Sequence, residues 1–227
     1  MFAPGDVISY LQMCQEEGAS LQRGMNFRLR GGMSVILMSL RRGAPYADQI
    51  LENGTVLIYE GHDVSRRKGG PDPKTVDQPR TLPSGKLTQN GLFFEAARKA
   101  RAGNPELVKV YEKLHNGVWV FDGIFELLDA SEPRCGKRKV FKFKLQVTEV
   151  PDMSSREIDL PHNRLIPAEV KLEVWKRDGG KCLTCGSSDN LHFDHIISYS
   201  RGGSSLVAKN IQLLCARHNL QKHDQII

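Results

Sequence analysis

Cys182-Leu183-Thr184-Cys185, then Asp194-His195-Ile196, Asn210 and Cys215-Ala216-Arg217-His218-Asn219, is the stretch whose spacing decides the C-terminal fold. Two cysteines separated by two residues let one turn present both thiolates to a single ion at about 2.3 Å. Cys215 and His218 repeat the spacing, with an imidazole in place of a fourth thiolate. A redox Cys-x-x-Cys would leave Cys215 and His218 unexplained. We therefore read Cys182, Cys185, Cys215 and His218 as a structural zinc site, fastening a strand hairpin to a helix in a segment too small for a large core. Asp194, His195 and Asn219 are interleaved with it. Hydrolysis of a phosphodiester needs an activated water, in-line geometry and a Lewis acid for the developing charge. His195 suits proton transfer near neutrality, while Asp194 and Asn219 supply oxygen ligands of the kind Mg²⁺ or a similar divalent ion prefers. Adjacent strand residues point to opposite sides, so Asp194 and His195 serve one site only if the chain bends there. Read singly, Asp194-His195 is equally a surface pair and Asn210 a helix cap. Together with the zinc ligands they point to a small metal-dependent nuclease.

Around this stretch, Ala168–Asp178 reads as a helix stopped by Gly179-Gly180. Leu191–His195 and the residues after it suggest a short hairpin, and Val207–Leu220 a second helix, giving the order knuckle, two strands, helix. With Arg177-Asp178-Gly179-Gly180-Lys181-Cys182, Gly202-Gly203, Leu214-Cys215 and Lys222 added, residues 165–224 resemble the HNH endonuclease family and its ββα-metal fold. That resemblance implies that His195 is the general base and that Asn210 holds the loop and orients it. It also implies that Asp194 and Asn219 bind the catalytic metal. The family's last signature position falls on Asn219 instead of a histidine. His223, one turn further, is then a candidate phosphate contact, and His192 a surface strand residue.

The chain has 227 residues, enough for two domains, and its 40% hydrophobic and 26% charged content is ordinary for globular protein. No run approaches the roughly 18 apolar residues of a membrane span, and Met1-Phe-Ala-Pro-Gly-Asp6 lacks the basic and apolar regions of a secretory signal. A cytoplasmic protein with no membrane contact is expected. Five cysteines, three of them in the zinc-like cluster, fit a reducing compartment better than a disulfide framework. A net charge of +6 favours a polyanionic partner, though weakly. Pro151 to Asn163, polar and bracketed by prolines, reads as a linker. The division is therefore 1–150, a linker over 151–164, and 165–227.

The first part reads as mixed α and β with strands dominant. A helix is expected over Asp6–Glu17, buried strands over Met33–Leu40 and Thr55–Tyr59, and a helix from an Asn90 N-cap towards Gly103. Val108–Leu114 and Val118–Leu128 flank an Asn116-Gly117 turn and read as a hairpin. In Val140–Val147, Phe141, Phe143, Leu145 and Val147 alternate with Lys142, Lys144 and Gln146, the signature of a half-buried strand.

Three pieces of this part, in order, resemble the SRA (SET- and RING-associated) domain, a reader of 5-methylcytosine. They are Pro45-Tyr46-Ala47-Asp48 through Tyr59-Glu60-Gly61, Asp77-Gln78 through Asn90, and Val118-Trp119-Val120-Phe121-Asp122-Gly123, with phenylalanine in the place of the family's tyrosine. The resemblance implies an α+β chain: a twisted SRA-like β-barrel with flanking helices, then a linker, then the zinc-containing ββα-metal domain. It also implies a base-flipping pocket. A flipped cytosine needs π-faces to replace lost stacking, which Tyr46 and Tyr59 can supply. A carboxylate accepting from the cytosine N4 amino group separates C from T, and Asp48 fits that role, with Gln49 close by. Arg66, Arg67 or Lys68, in a long basic loop, could fill the gap left by the base. Burying one methyl contributes about 1–3 kcal/mol, so methyl discrimination should be tens- to hundreds-fold.

These readings converge on a modification-dependent restriction endonuclease. It would bind double-stranded DNA carrying 5-methylcytosine or 5-hydroxymethylcytosine and cut with a divalent metal. One such site cuts one strand, so a homodimer is expected for a double-strand break. The rivals are a homing or repair nuclease reading unmodified DNA, and a modified-DNA reader without catalysis.

Overall fold

The computed structural model describes residues 2–148, 165–197 and 203–222. The N-terminal elements are β1 (Val7–Ser9), α1 (Tyr10–Glu17), β2 (Met25–Asn26), β3 (Ser34–Met38), β4 (Gln49–Leu51), β5 (Val56–Glu60) and α2 (Gln89–Ala100). The long hairpin β6 (Glu106–His115) and β7 (Val118–Ser131) comes next, then β8 (Arg134–Cys135), β9 (Arg138–Lys139) and β10 (Lys142–Val147). The C-terminal part comprises α3 (Ala168–Arg177), β11 (Leu191–His195), β12 (Ile211–Cys215) and α4 (Ala216–Lys222). The linker expected over 151–164 lies outside the described residues, as does His223.

The strand pattern does what period-two alternation requires: Phe141, Phe143 and Leu145 are buried against α2, while Lys144 is exposed. The main sheet runs β2-β3-β6-β7-β10-β5-β4, with β1 pairing the first residues of β7. All neighbours are antiparallel except β3 and β6. Its end strands, β2 and β4, do not pair with each other, so among the described residues the implied barrel is an open sheet. On α2 the buried positions Asn90, Phe93, Ala96 and Ala97 form one helical stripe on that sheet. Gly91 lets the helix start pass close to the Arg80 carbonyl, where an added Cβ would lie 2.3 Å from the oxygen.

Three expectations change in detail. The helix expected over Asp6–Glu17 begins only at Tyr10, because Val7–Ser9 is drawn into pairing with β7 and Ser9 becomes the N-cap in a capping box with Gln12. Thr88, not Asn90, caps α2, and Asn90 is spent on His62 instead. The helix expected over Val207–Leu220 is a short 3₁₀ turn, the buried strand β12 and then α4. A second core packs α3 residues Val170 and Val174 against Ile211 and Leu213 of β12, together with Leu114 and Val120 of the N-terminal hairpin.

Candidate active site and nucleic-acid interface

The zinc-ligand set is assembled by two turns. Gly179 and Gly180 take left-handed backbone at φ +64° and +63° and end α3 directly before Cys182. The knuckle closes through Gly186, at φ +73°, whose N–H donates to the Cys182 carbonyl at 2.8 Å. Leu183 N–H donates to the Leu213 carbonyl at 2.9 Å, which ties the knuckle to β12. The ligand atoms of Cys182, Cys185, Cys215 and His218 all lie within 4.8 Å of one another, with His218 Nδ1 3.5 Å from Cys182 Sγ and 3.2 Å from Cys215 Sγ. Burial pushes the Cys182 thiol up, but backbone N–H groups of Cys215, Cys185 and Thr184, with His218, bring it down to about 6. Thiolate character and tetrahedral-scale spacing make this cluster fit to hold a metal ion such as zinc.

Beside it, β11 pairs with β12 in antiparallel register from Leu191↔Cys215 to His195↔Ile211. The chain leaves the strand directly after His195. His195 Nε2 is hydrogen-bonded to the buried Ser205 Oγ at 2.8 Å. Asp194 turns to α4 instead, where its Oδ2 accepts from Lys222 Nζ at 2.7 Å and from Gln212 Nε2 at 3.1 Å. Lys222 also donates to the His195 carbonyl. Asn219 is half-buried one turn before Lys222, and i,i+3 residues share a helix face. Asn210 joins the chain on either side of residues 198–202: its Oδ1 accepts from Ile197 N–H at 2.9 Å, and its Nδ2 donates to the carbonyls of Ile197 at 3.0 Å and Ser204 at 3.1 Å. Gly203 fills the remaining space, where a Cβ would lie 1.8 Å from the Ile197 oxygen.

In the N-terminal part, Tyr46, Asp48 and Tyr59 line one groove of about 1240 Å³, whose walls also include Arg23, Arg41, Arg67, Lys113 and Trp119. Tyr59 is 1% exposed, and its hydroxyl is 3.2 Å from His62 Nε2. Tyr46 stacks on the His62 ring at 5.7 Å between centroids and receives the Lys74 ammonium at 4.2 Å. Gly24 backs this group, since a Cβ there would lie 2.7 Å from the Tyr59 oxygen and 2.8 Å from His62 Nε2. Burial pulls the His62 imidazole down to about 4, so it is neutral at physiological pH. The Asp48 carboxylate accepts from Glu60 N–H at 2.9 Å and Ser39 N–H at 3.5 Å; burial outweighs both and pushes it up to about 6. Arg66 and Lys68 stand exposed outside the groove lining, Arg66 facing Asp72 at 3.8 Å, while Arg67 is at the groove.

Residues 182–225 match the family model described as HNH endonuclease. This segment belongs to the HNH endonuclease family. No curated protein matches the chain. In fold the chain is similar to the SRA domain of SUVH5 in complex with fully methylated CG DNA, at 24% identity over 69% of this chain and 93% of that one, with a TM-score of 0.44. It is similar to the type IV phosphorothioation-dependent restriction endonuclease ScoMcrA at 14% identity, covering 99% of this chain and 56% of that one, with a TM-score of 0.45. It is also similar to the modification-dependent restriction endonuclease TagI at 20% identity, covering 96% of this chain and 76% of that one, with a TM-score of 0.40.

The HNH domain makes the protein a DNA endonuclease, and its structure adds residues that motif spacing does not reveal. Ser205 holds His195, and Lys222 is the partner of Asp194. Arg177 clasps Asp178 and donates to the carbonyls of Ala208 and Ile211, each at 2.7 Å, so the end of α3 anchors the start of β12. His192, read as a surface strand residue, is half-buried and paired with Asp6. His62, which carried no motif signal, sits between the two pocket tyrosines.

Proposed function

We propose that the protein is a modification-dependent restriction endonuclease whose N-terminal groove takes a flipped 5-methylcytosine or 5-hydroxymethylcytosine and whose HNH domain cuts the duplex nearby. The observation that carries this reading is the joint lining of one groove by Tyr46, Asp48 and Tyr59 in a chain that ends in an HNH domain. Of the two tyrosines Tyr46, stacked on His62, is the partly exposed ring that offsets the lost stacking, and Tyr59 is buried behind them. Asp48 keeps lone pairs for the N4 amino group beyond those used by the Glu60 and Ser39 amides. Arg23, Arg41 and Arg67 give the groove mouth the charge a phosphate backbone requires.

In the nuclease half, His195 takes the proton from the attacking water while Ser205 fixes its ring. Asn210 ties Ile197, two residues after that base, to its own strand start. Asp194 and Asn219 are the residues that would hold a divalent ion such as Mg²⁺. They fit by donor chemistry, a carboxylate and an amide oxygen, and the ion would take the place on Asp194 Oδ2 that the Lys222 ammonium holds. When bound, the ion supplies charge for the developing oxyanion and the leaving oxygen. Zinc in the Cys182, Cys185, Cys215 and His218 cluster is structural, and a homodimer delivers the second cut.

Matched plasmids, one unmodified and one carrying 5-methylcytosine, test the whole reading with Mg²⁺ and with EDTA. Cutting of the modified plasmid alone, and only with metal, is expected. Metal-dependent cutting of both would discard the pocket and favour a nuclease reading unmodified DNA.

A further inference from the structure

A linker between two domains suggests a nuclease loosely tethered to a reader, but three joints bind the two halves. The first is ionic. Lys171 on α3 is 1% exposed, and its ammonium donates to Glu112 Oε2 on β6 at 2.7 Å and to Asp122 Oδ1 on β7 at 2.5 Å. Asp122 reaches α3 because it is the extra residue of a bulge: β6 pairs Val110 with Gly123 and Tyr111 with Phe121, leaving Asp122 unmatched beside Gly123 at φ +111°. The second joint is main chain. Gly5 N–H donates to the Phe121 carbonyl at 2.8 Å and Phe121 N–H to the Asp6 carbonyl at 3.0 Å, while Phe193 N–H donates to the Gly5 carbonyl at 3.1 Å. Residues 5 and 6 thus link β7 to β11, the strand that ends in Asp194-His195, and the Asp6 carboxylate pairs with His192 on that strand. Only glycine suits position 5, at φ +93° with a Cβ position 3.0 Å from the Phe193 oxygen. The third joint is apolar: Leu114 and Val120 of the reader hairpin share one core with Val174, Ile211 and Leu213 of the HNH domain.

These joints differ in kind and reach α3, β11 and β12, the elements that frame the proposed catalytic base. A buried ammonium held by two carboxylates has one low-energy geometry, and a strand pairing has one register, so neither permits a swing. We propose that reader and nuclease form one rigid body, in which Lys171 with Glu112 and Asp122, and Asp6 with His192, are positioning residues that fix the distance from the modified base to the cleaved bond. This rests on the function proposed above.

The test is a duplex with a single 5-methylcytosine, end-labelled on each strand and cut with Mg²⁺, its products read at nucleotide resolution. The full-length protein should cut in one narrow cluster at a constant offset in every flanking sequence. Replacing the ionic joint at near-constant volume (Lys171→Met, Glu112→Gln and Asp122→Asn together), and separately Asp6→Ala, should widen the cluster while total modification-dependent cleavage persists. Scattered cuts by the unaltered protein, or an unchanged cluster in both variants, would overturn the proposal. A DNA-free measurement separates it from the reading it rests on. The chain has two tryptophans, Trp119 on the reader and Trp175 on α3, so Trp119→Phe and Trp175→Phe give each half its own fluorescence reporter. The two thermal transitions should coincide, and should separate once the ionic joint is replaced. Separate transitions in the unaltered joint would sink the rigid body even if cutting is modification-dependent. Coincident transitions with cutting that ignores modification would sink only the reader.

Discussion

Asn210 uses one side-chain amide to satisfy three backbone groups, two on Ile197 and one on Ser204. Its removal strands those groups at a cost of about 1–3 kcal/mol. Asn210→Ala should therefore lower both thermal stability and kcat, whereas His195→Ala, which removes the partner of the Ser205 hydroxyl, should leave modified-DNA affinity intact. In a single-turnover assay His195→Ala should cut about 10²–10⁴-fold more slowly, the usual worth of a positioned base; near-normal cutting would remove His195 from the mechanism. Asp48 adds a pH signature. Its carboxyl is raised to about 6 in the fold, above the ordinary value of 3.8, so the folded state holds the proton more tightly. The stability it contributes is fully present below about pH 4 and is lost as pH rises through about 6. Recognition runs the other way, since accepting from N4 requires the carboxylate. Affinity of the His195→Ala protein for methylated duplex, followed by anisotropy at constant salt, should be flat from pH 8 to 7 and fall below about 6. His62, already neutral above about 4, does not titrate in that window.

The knuckle and hairpin around His195 and Asn210 stand on the Cys/His cluster. Without an ion, Cys182, Cys185, Cys215 and His218 present like-charged or desolvated donors within 4.8 Å of one another and hold nothing together. Zinc removal by a strong chelator, or Cys182→Ser, should unfold the HNH part and abolish cutting. In circular dichroism and cleavage assays zinc, not Mg²⁺, should restore the chelated protein. The cluster was legible in the sequence because ligand spacing is local chemistry. So was the end of α3, where Gly179-Gly180 must take left-handed backbone. What the sequence misjudged was set by distant partners. Ile211-Gln212-Leu213-Leu214-Cys215 is buried at every position, so its pattern fits a helix face as well as a strand buried on both sides. Val7–Ser9 continues a helical pattern but is claimed by pairing with β7. The pairings of Lys222 with Asp194, and of Asp6 with His192, join residues far apart in the chain and leave no local mark.

Net charge and the groove make separate demands on the same DNA, and salt can tell them apart. Arg23, Arg41, Arg67 and Lys113 line the groove from the tyrosine pocket to Trp119, so the excess of +6 is partly gathered where a duplex would lie. Each phosphate neutralised contributes a slope of about −0.9 to log K against log salt, and those side chains together about −3.6. Arg67→Ala should make the slope shallower by about 0.9 and weaken modified and unmodified duplex by the same factor. Tyr46→Ala should do the reverse. The slope stays, and affinity for modified DNA alone falls by the stacking of one base, about 1–3 kcal/mol. Titrations of the His195→Ala protein across a salt series with paired duplexes measure both quantities at once. If Arg67→Ala altered the ratio between the duplexes, or Tyr46→Ala altered the slope, the groove would not divide into a charged track and an aromatic pocket. The division matters because a site that meets an excess of unmodified DNA cannot gain selectivity from charge. On the proposed reading only the pocket, where Tyr46, Asp48 and neutral His62 would replace water around one base, can supply it.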